Sequence, residues 1–117
     1  MKGMNHSIIV PSASITLSAA GVTPAAHKPV QFMTTSGGQE ANLVNIYLAP
    51  GSVKGQRITF IVATVTHAND DIRIMIDASN YFSNADPVAG HAVEMWWNGS
   101  SWITGPANGT WTLTVPG

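Results

Sequence analysis

The chain predicts an all-β fold: an antiparallel β-sandwich, jelly-roll-like in outline, of about eight or nine short strands. Three observations carry this reading. Apolar residues alternate with Ser, Thr and Asn in short runs, the two-residue period of a half-buried strand. Turn-forming Gly, Pro and Asn residues separate the runs at roughly ten-residue intervals, as in sandwiches and barrels. Nowhere does an i, i+3, i+4, i+7 apolar pattern persist for three turns of helix.

Taken in order, Met1 to Ser7 is polar, and Ile8, Ile9 and Val10 form a short apolar run that Pro11 ends. Residues 1–10 therefore read as an N-terminal arm and residues 11–117 as a single sandwich domain. Ile15, Leu17 and Ala19 alternate with Ser14, Thr16 and Ser18, giving a strand with one buried face. Gly21 to Pro29 reads as a loop. Val30 to Thr35 is a strand ended by Gly37-Gly38. In Leu43 to Leu48, Val44, Ile46 and Leu48 share one face, and Pro50-Gly51 follows as a turn signal. Arg57 to Val65 is apolar on both faces, the pattern of a central strand covered on both sides.

His67 to Asp71 reads as a polar connection. Ile72, Ile74 and Ile76 line one face of the next strand, opposite Arg73, Met75 and Asp77. Ala78 to Gly90 is irregular, with Tyr81-Phe82 its only bulky apolar pair. Ala92 to Thr104 reads as a β-hairpin turning at Asn98-Gly99, a pair that tolerates positive φ. It carries three of the four tryptophans. Gly105 to Gly109 reads as a second turn region. Trp111, Leu113 and Val115 then alternate with threonines in a final strand.

The 117 residues are 44% hydrophobic, enough to bury a core without staples. Only 9% are charged, far below the roughly 25% of an ordinary soluble domain. So few charges give little electrostatic protection against self-association, and the expectation is that much of the surface is covered in an assembly. The net charge is −1, and Lys2, Lys28, Lys54, Arg57 and Arg73 are scattered, so a nucleic-acid partner is not expected. No apolar run reaches a membrane span. With no cysteine, disulfide and thiolate chemistry are excluded. The three-residue run before Pro11 is too short for a secretory h-region, so synthesis in the cytoplasm without Sec export is expected.

Candidate chemistry is sparse. His6, His27, His67 and His91 have no local metal-pair spacing. Asn69-Asp70-Asp71 offers oxygen ligands but also the residues of an ordinary hairpin loop, and no full calcium loop is present. Glu40 and Glu94 are the imaginable glycosidase pair, which needs a set carboxyl separation. There is no Gly-x-Ser-x-Gly elbow. No enzyme, cofactor or metal is predicted. Asn98-Gly99-Ser100 and Asn108-Gly109-Thr110 match glycosylation acceptors but read as turns without an export signal. Trp97 and Trp111 share parity with Met95, Leu113 and Val115 and are assigned to the core. Trp96 has the parity of Glu94 and faces away, the best single contact residue. Trp102, Tyr81 and the Ile8, Ile9, Val10 run complete the expected contact set.

The run Gly51-Ser52-Val53-Lys54-Gly55-Gln56-Arg57-Ile58-Thr59-Phe60-Ile61 resembles a Gly-x-x-x-Gly-Gln segment found before a central strand in tailed-bacteriophage virion proteins. The following strand at Ile72 to Ile76, Phe82, Gly90, Val93 to Trp97, Asn98 to Trp102 and Gly109-Thr110-Trp111 fit the same pattern, so the similarity covers about residues 42 to 115. Similar modules occur in head decoration and cement proteins and in fibre or spike proteins. The resemblance implies a virion surface protein, usually trimeric, with no catalytic residues to carry over. The absence of a shaft favours a capsid decoration subunit, with copies of itself and the major capsid protein as partners. The alternative it implies is a receptor- or carbohydrate-binding module of a head or tail fibre, with Trp96, Trp102 or Tyr81 stacking on a host surface glycan.

Overall fold

The computed structural model describes residues 12–17, 23, 28–35, 43–65, 71–77 and 79–114. The Ile8, Ile9, Val10 arm, Gly37-Gly38, Glu40, Asn69, Asp70, His6, His27 and His67 lie outside them. Nine strands are formed by the described residues: β1 (Ser12–Leu17), β2 (Val30–Thr35), β3 (Leu43–Tyr47), β4 (Arg57–Thr64), β5 (Asp71–Met75), β6 (Tyr81–Asn84), β7 (Ala92–Trp97), β8 (Trp102–Asn108) and β9 (Trp111–Thr114). They make a five-stranded sheet in the order β1-β2-β4-β7-β8 and a four-stranded sheet in the order β3-β5-β6-β9.

The pairing is mixed, not antiparallel throughout. β1 with β2, β2 with β4, and β3 with β5 run parallel. The other four ladders are antiparallel. The chain passes from one sheet to the other between β2 and β3, between β3 and β4, and between β4 and β5. These crossings make β2 and β4, and β3 and β5, neighbours without being consecutive in sequence, and both pairs run parallel, as do the consecutive β1 and β2. Hydrophobic alternation reports which face a residue takes and is silent about its neighbour strand. The all-antiparallel jelly-roll topology is therefore not the one found.

Two elements differ from the sequence reading. Ala78 to Gly90 contains β6, a four-residue strand that is too short and too polar at Ser83 and Asn84 to show as periodicity. Gly105 to Asn108 is the end of β8, not a turn. Val93 pairs with Ala107 and Met95 with Thr104, so Gly105 and Pro106 together oppose Glu94 in a β-bulge. Proline lacks an N–H and is tolerated on an edge strand or at a bulge, and β8 supplies both. Bulges and turns draw on the same residues, which explains the misreading.

The hairpin at the tip of β7 and β8 also differs in detail. Asn98 N–H donates to the Ser101 carbonyl at 3.0 Å, so the two central residues are Gly99 and Ser100. Gly99 takes the positive φ of 102°. Asn98 instead caps the turn, its Oδ1 accepting from the N–H groups of Ser100 and Ser101 at 2.8 and 2.9 Å.

One apolar cluster fills the space between the sheets. Ile15, Met33, Ile58, Phe60, Val62, Val93, Met95 and Trp102 come from the first sheet, and Ile46, Ile72, Ile74 and Phe82 from the second. Trp97 and Trp111 pack against it while only partly buried, and Trp111 stacks on Phe82 with ring centroids 5.4 Å apart. Leu113, expected to be buried with Trp111, is 47% exposed because β9 is an edge strand. β4 is buried on one face only. Ile58, Phe60 and Val62 are in the core, Ile61 on the other face is half-buried, and Ala63 is exposed.

Phe60 sits at the middle of this cluster with no exposure. Phe60→Ala is expected to cost about 3–5 kcal/mol, read as a lowered urea midpoint. Val53→Ala, at a 68% exposed loop position, is expected to stay within about 0.5 kcal/mol of the wild type.

Candidate functional site

The structure does not bring Trp96, Tyr81 and Trp102 together. Trp96 lies on the outer face of the β1-β2-β4-β7-β8 sheet, between Arg57 of β4 and Ile103 of β8 in register. Tyr81 lies on the outer face of the other sheet, because its neighbour Phe82 points into the core. Trp102 is 2% exposed. Its Nε1–H donates to the Ala49 carbonyl at 2.8 Å, and its ring lies 5.4 Å from that of Trp97. It is a core residue whose one polar atom is satisfied, and the expectation that it is a contact residue is corrected. Its parity matches Trp97 across the hairpin ladder, a relation visible only once the turn is placed at Gly99-Ser100.

Around Trp96 the side chains form a closed set. Its Nε1–H donates to Glu94 Oε1 at 2.5 Å, two residues back on the same strand face. The same oxygen lies 3.6 Å from Arg57 Nε. The Arg57 guanidinium stands over the Trp96 ring, 5.7 Å from its centroid. On the other side is the bulge: a Cβ placed on Gly105 would come within 2.9 Å of Trp96 Cε2 and 3.1 Å of the Glu94 carbonyl. Glycine there lets the indole lie against the β8 backbone. Shallow hollows flank the group. One of about 300 Å³ is lined by Thr59, Glu94, Pro106 and Asn108. The other, about 210 Å³, is lined by Lys54, Arg57, Asn98 and Ile103.

Tyr81 is similarly engaged. The Arg73 guanidinium lies 4.4 Å over its ring. Nearby, Arg73 Nε, Asn45 Oδ1 and Asp71 Oδ1 are buried without a hydrogen-bond partner. Burial pushes the Asp71 carboxyl above its ordinary value, with Arg73 opposing and Asp86 adding to the rise. Of the Asn69-Asp70-Asp71 cluster only Asp71 is among the described residues. No group of three His, Asp or Glu side chains comes together among the described residues as a metal site would require. His91 Nδ1 meets Asn84 Nδ2 at 3.0 Å and the Val88 N–H at 3.3 Å. Asn84 is fully buried, and its Oδ1 accepts from Asp86 N–H and Thr110 Oγ1 at 3.0 and 2.8 Å. That network ties the β6–β7 connection to the start of β9, a structural use of the histidine.

The sequence reading missed a row of apolar residues on the sheet face that Trp96 shares. Phe32 of β2, Ile61 of β4 and Ala92 of β7 are in register across the outer face of the larger sheet. Phe32 is 38% exposed. The signal was present, since Ile61 was read as part of a second apolar face on β4. The neighbours that extend it come from strand order.

Two outcomes check this description. Gly105→Ala displaces the Trp96 ring, shifting tryptophan fluorescence and costing about 1–3 kcal/mol of overpacking. Glu94→Gln, which breaks an ion pair whose arginine is largely exposed, changes stability by less than about 1 kcal/mol. A third concerns Asp77, whose Oδ1 accepts from Ser79 N–H and Asn80 N–H at 2.8 Å each and whose Oδ2 accepts from Asn80 Nδ2. The backbone N–H of Ser79, then that of Asn80, hold its carboxyl below the ordinary 3.8. A depressed folded value means stability that is present above 3.8 and lost as pH falls through the lower value. Urea midpoints of Asp77→Asn are therefore expected to fall less than those of the wild type between pH 4 and pH 2.

Comparison with protein-family models, curated proteins and solved structures returns no match.

Proposed function

We propose that this chain is a capsid decoration (cement) subunit of a tailed bacteriophage, made in the host cytoplasm, which binds the outside of the head as a homotrimer and stabilises the shell. The observation that carries the reading is β4. It is apolar on both faces, as a strand covered on both sides is, yet only one face is fully covered: across the other runs the Phe32–Ile61–Ala92 row, with Phe32 38% exposed and Ile61 and Ala92 half-buried. A small domain with this little charge gains by burying such a row against a larger surface. The resemblance to virion surface modules supports the same assignment and names the major capsid protein as the partner. The mechanism is mass action. A protein that binds only the assembled shell adds its binding free energy to the shell's stability, and many symmetry-related contacts resist internal genome pressure together. No catalysis, cofactor, nucleic acid or membrane is part of the proposal.

The glycan-binding alternative has less support. Sugar stacking needs an open aromatic face. Trp96 lies between Gly105 and the Arg57 guanidinium, Tyr81 lies under Arg73, and Trp102 is buried.

The test adds purified protein to heads of the encoding phage prepared without it and counts bound copies by cryo-electron microscopy. Wild type binds stoichiometrically and raises the temperature at which heads release DNA. Phe32→Lys retains the wild-type fold and loses at least about tenfold in affinity, the worth of one buried aromatic anchor. Protein that binds no head, but binds a glycan array through Trp96, counts against the decoration reading.

A further inference from the structure

Two asparagines in the chain precede a glycine, Asn98 before Gly99 and Asn108 before Gly109. All four residues are exposed, and the glycines take positive φ of 102° and 104°. Such a pair is open to ring closure, because glycine has no Cβ to shield its amide nitrogen. The glycine nitrogen bonds to the asparagine Cγ, and the bond from Cγ to Nδ2 breaks. Ammonia leaves with the proton that the glycine N–H gives up. Water then opens the cyclic imide at either carbonyl, leaving an aspartate or an isoaspartate.

The structure sets the two pairs apart. The Asn108 amide is tied at both ends: Oδ1 accepts from the Ala92 N–H at 2.6 Å, and Nδ2 donates to the Gly90 carbonyl at 3.3 Å. The His91 ring lies against Gly109, where a Cβ would come within 2.5 Å of it. Asn98 differs in both respects. Its Nδ2, the leaving group, has no hydrogen-bond partner among the described residues. Its Oδ1 accepts from the N–H groups of Ser100 and Ser101 at 2.8 and 2.9 Å. Negative charge develops on that oxygen when the nitrogen attacks Cγ, and two backbone N–H groups already aimed at it serve as an oxyanion hole. Cations stand nearby. Asn98 lines the same hollow as Lys54 and Arg57, and the Lys54 side chain runs past Gly99.

We infer that Asn98-Gly99 is a self-modifying site, which closes to a cyclic imide and opens with water to a carboxylate, while Asn108-Gly109 is held inert. The hollow suits the product. An aspartate at position 98 accepts from the same two N–H groups through charge-assisted bonds, beside Lys54 and Arg57. An isoaspartate routes the main chain through the side-chain carbon and lengthens it just before the turn that sets Trp97 against Trp102. Either product adds one negative charge to a net charge of −1. The hairpin thus carries a slow, one-way change of charge that needs no enzyme and no partner.

The test holds purified protein at mildly alkaline pH, native and in urea, and follows both sites by mass spectrometry. Chymotrypsin cleaves after Trp97, Trp102 and Trp111, which places Asn98 and Asn108 in separate peptides, 98–102 and 103–111. In the native protein Asn98 is expected to convert to acid at least about tenfold faster than Asn108, the scale of the one or two hydrogen bonds that restrain Asn108. In urea the two are expected to convert at similar rates, since both precede glycine. Lys54→Ala, at an exposed position, is expected to slow Asn98 about two- to fivefold, the worth of one surface charge. Near-UV circular dichroism verifies the fold of the variant. Equal native rates, faster conversion of Asn108, or a ratio that urea leaves unchanged overturns the inference. A folded Lys54→Ala that converts as fast as wild type overturns the part given to the hollow. If that variant fails to fold, the native and urea ratios decide.

Discussion

The structure depends on a single buried layer to which two sheets contribute alternate residues. A sheet with one apolar face must cover it, and here the covering element is another sheet, with no helix among the described residues. Phe60, Ile58 and Val62 from one side and Ile46, Ile72 and Ile74 from the other lose all or nearly all contact with water. At roughly 25 cal/mol per Å² of apolar area, burial of this layer is a favourable term set against the entropy cost of ordering the strands. The remaining features are conditions on that layer. The tight turn at Gly99-Ser100 keeps Trp97 and Trp102 in one register, and the bulge at Gly105-Pro106 lets an edge strand stay paired past a proline.

The tryptophans show how the same residue type is used in different ways within one hairpin. Trp102 has its N–H satisfied by a carbonyl 53 residues earlier in the chain and is otherwise surrounded by core. Trp96, on the opposite face, has its N–H satisfied by Glu94, which also meets Arg57. The indole, carboxylate and guanidinium thereby hold one another in place on a surface that is otherwise apolar and hydroxyl-bearing. Such a group leaves little of the indole face open for stacking.

Charge placement follows the order of the strands. With few charges to distribute, the chain keeps those in its strands on interior strands, where Glu94 pairs with Arg57 and Arg73 covers Tyr81. The edges are left neutral. In a protein that works alone this is a hazard, because an edge is a row of unpaired backbone groups. On β8 the bulge and Pro106 take the place of charge in guarding the edge.

Alternation in the sequence was enough to place eight of the nine strands and to put Ile58 with Phe60, Ile72 with Ile74, and Val93 with Met95 on shared faces, because a period of two is a local property of extended backbone. It also placed Trp96 and Trp97 on opposite faces. Beyond that, local pattern lost its power. The four residues of β6 are too few to show a period, and the glycine and proline of a bulge look like those of a turn. The burial of Trp102 depends on where the hairpin turns, and the parallel pairs β2 with β4 and β3 with β5 depend on the chain crossing between sheets. Which strands are edges, and so which neutral strands are exposed, is settled by partners far apart in sequence. The amino-acid sequence determined the faces of the strands. Only the tertiary structure decided their neighbours, because side-chain direction follows from the backbone of one strand and pairing requires the backbones of two.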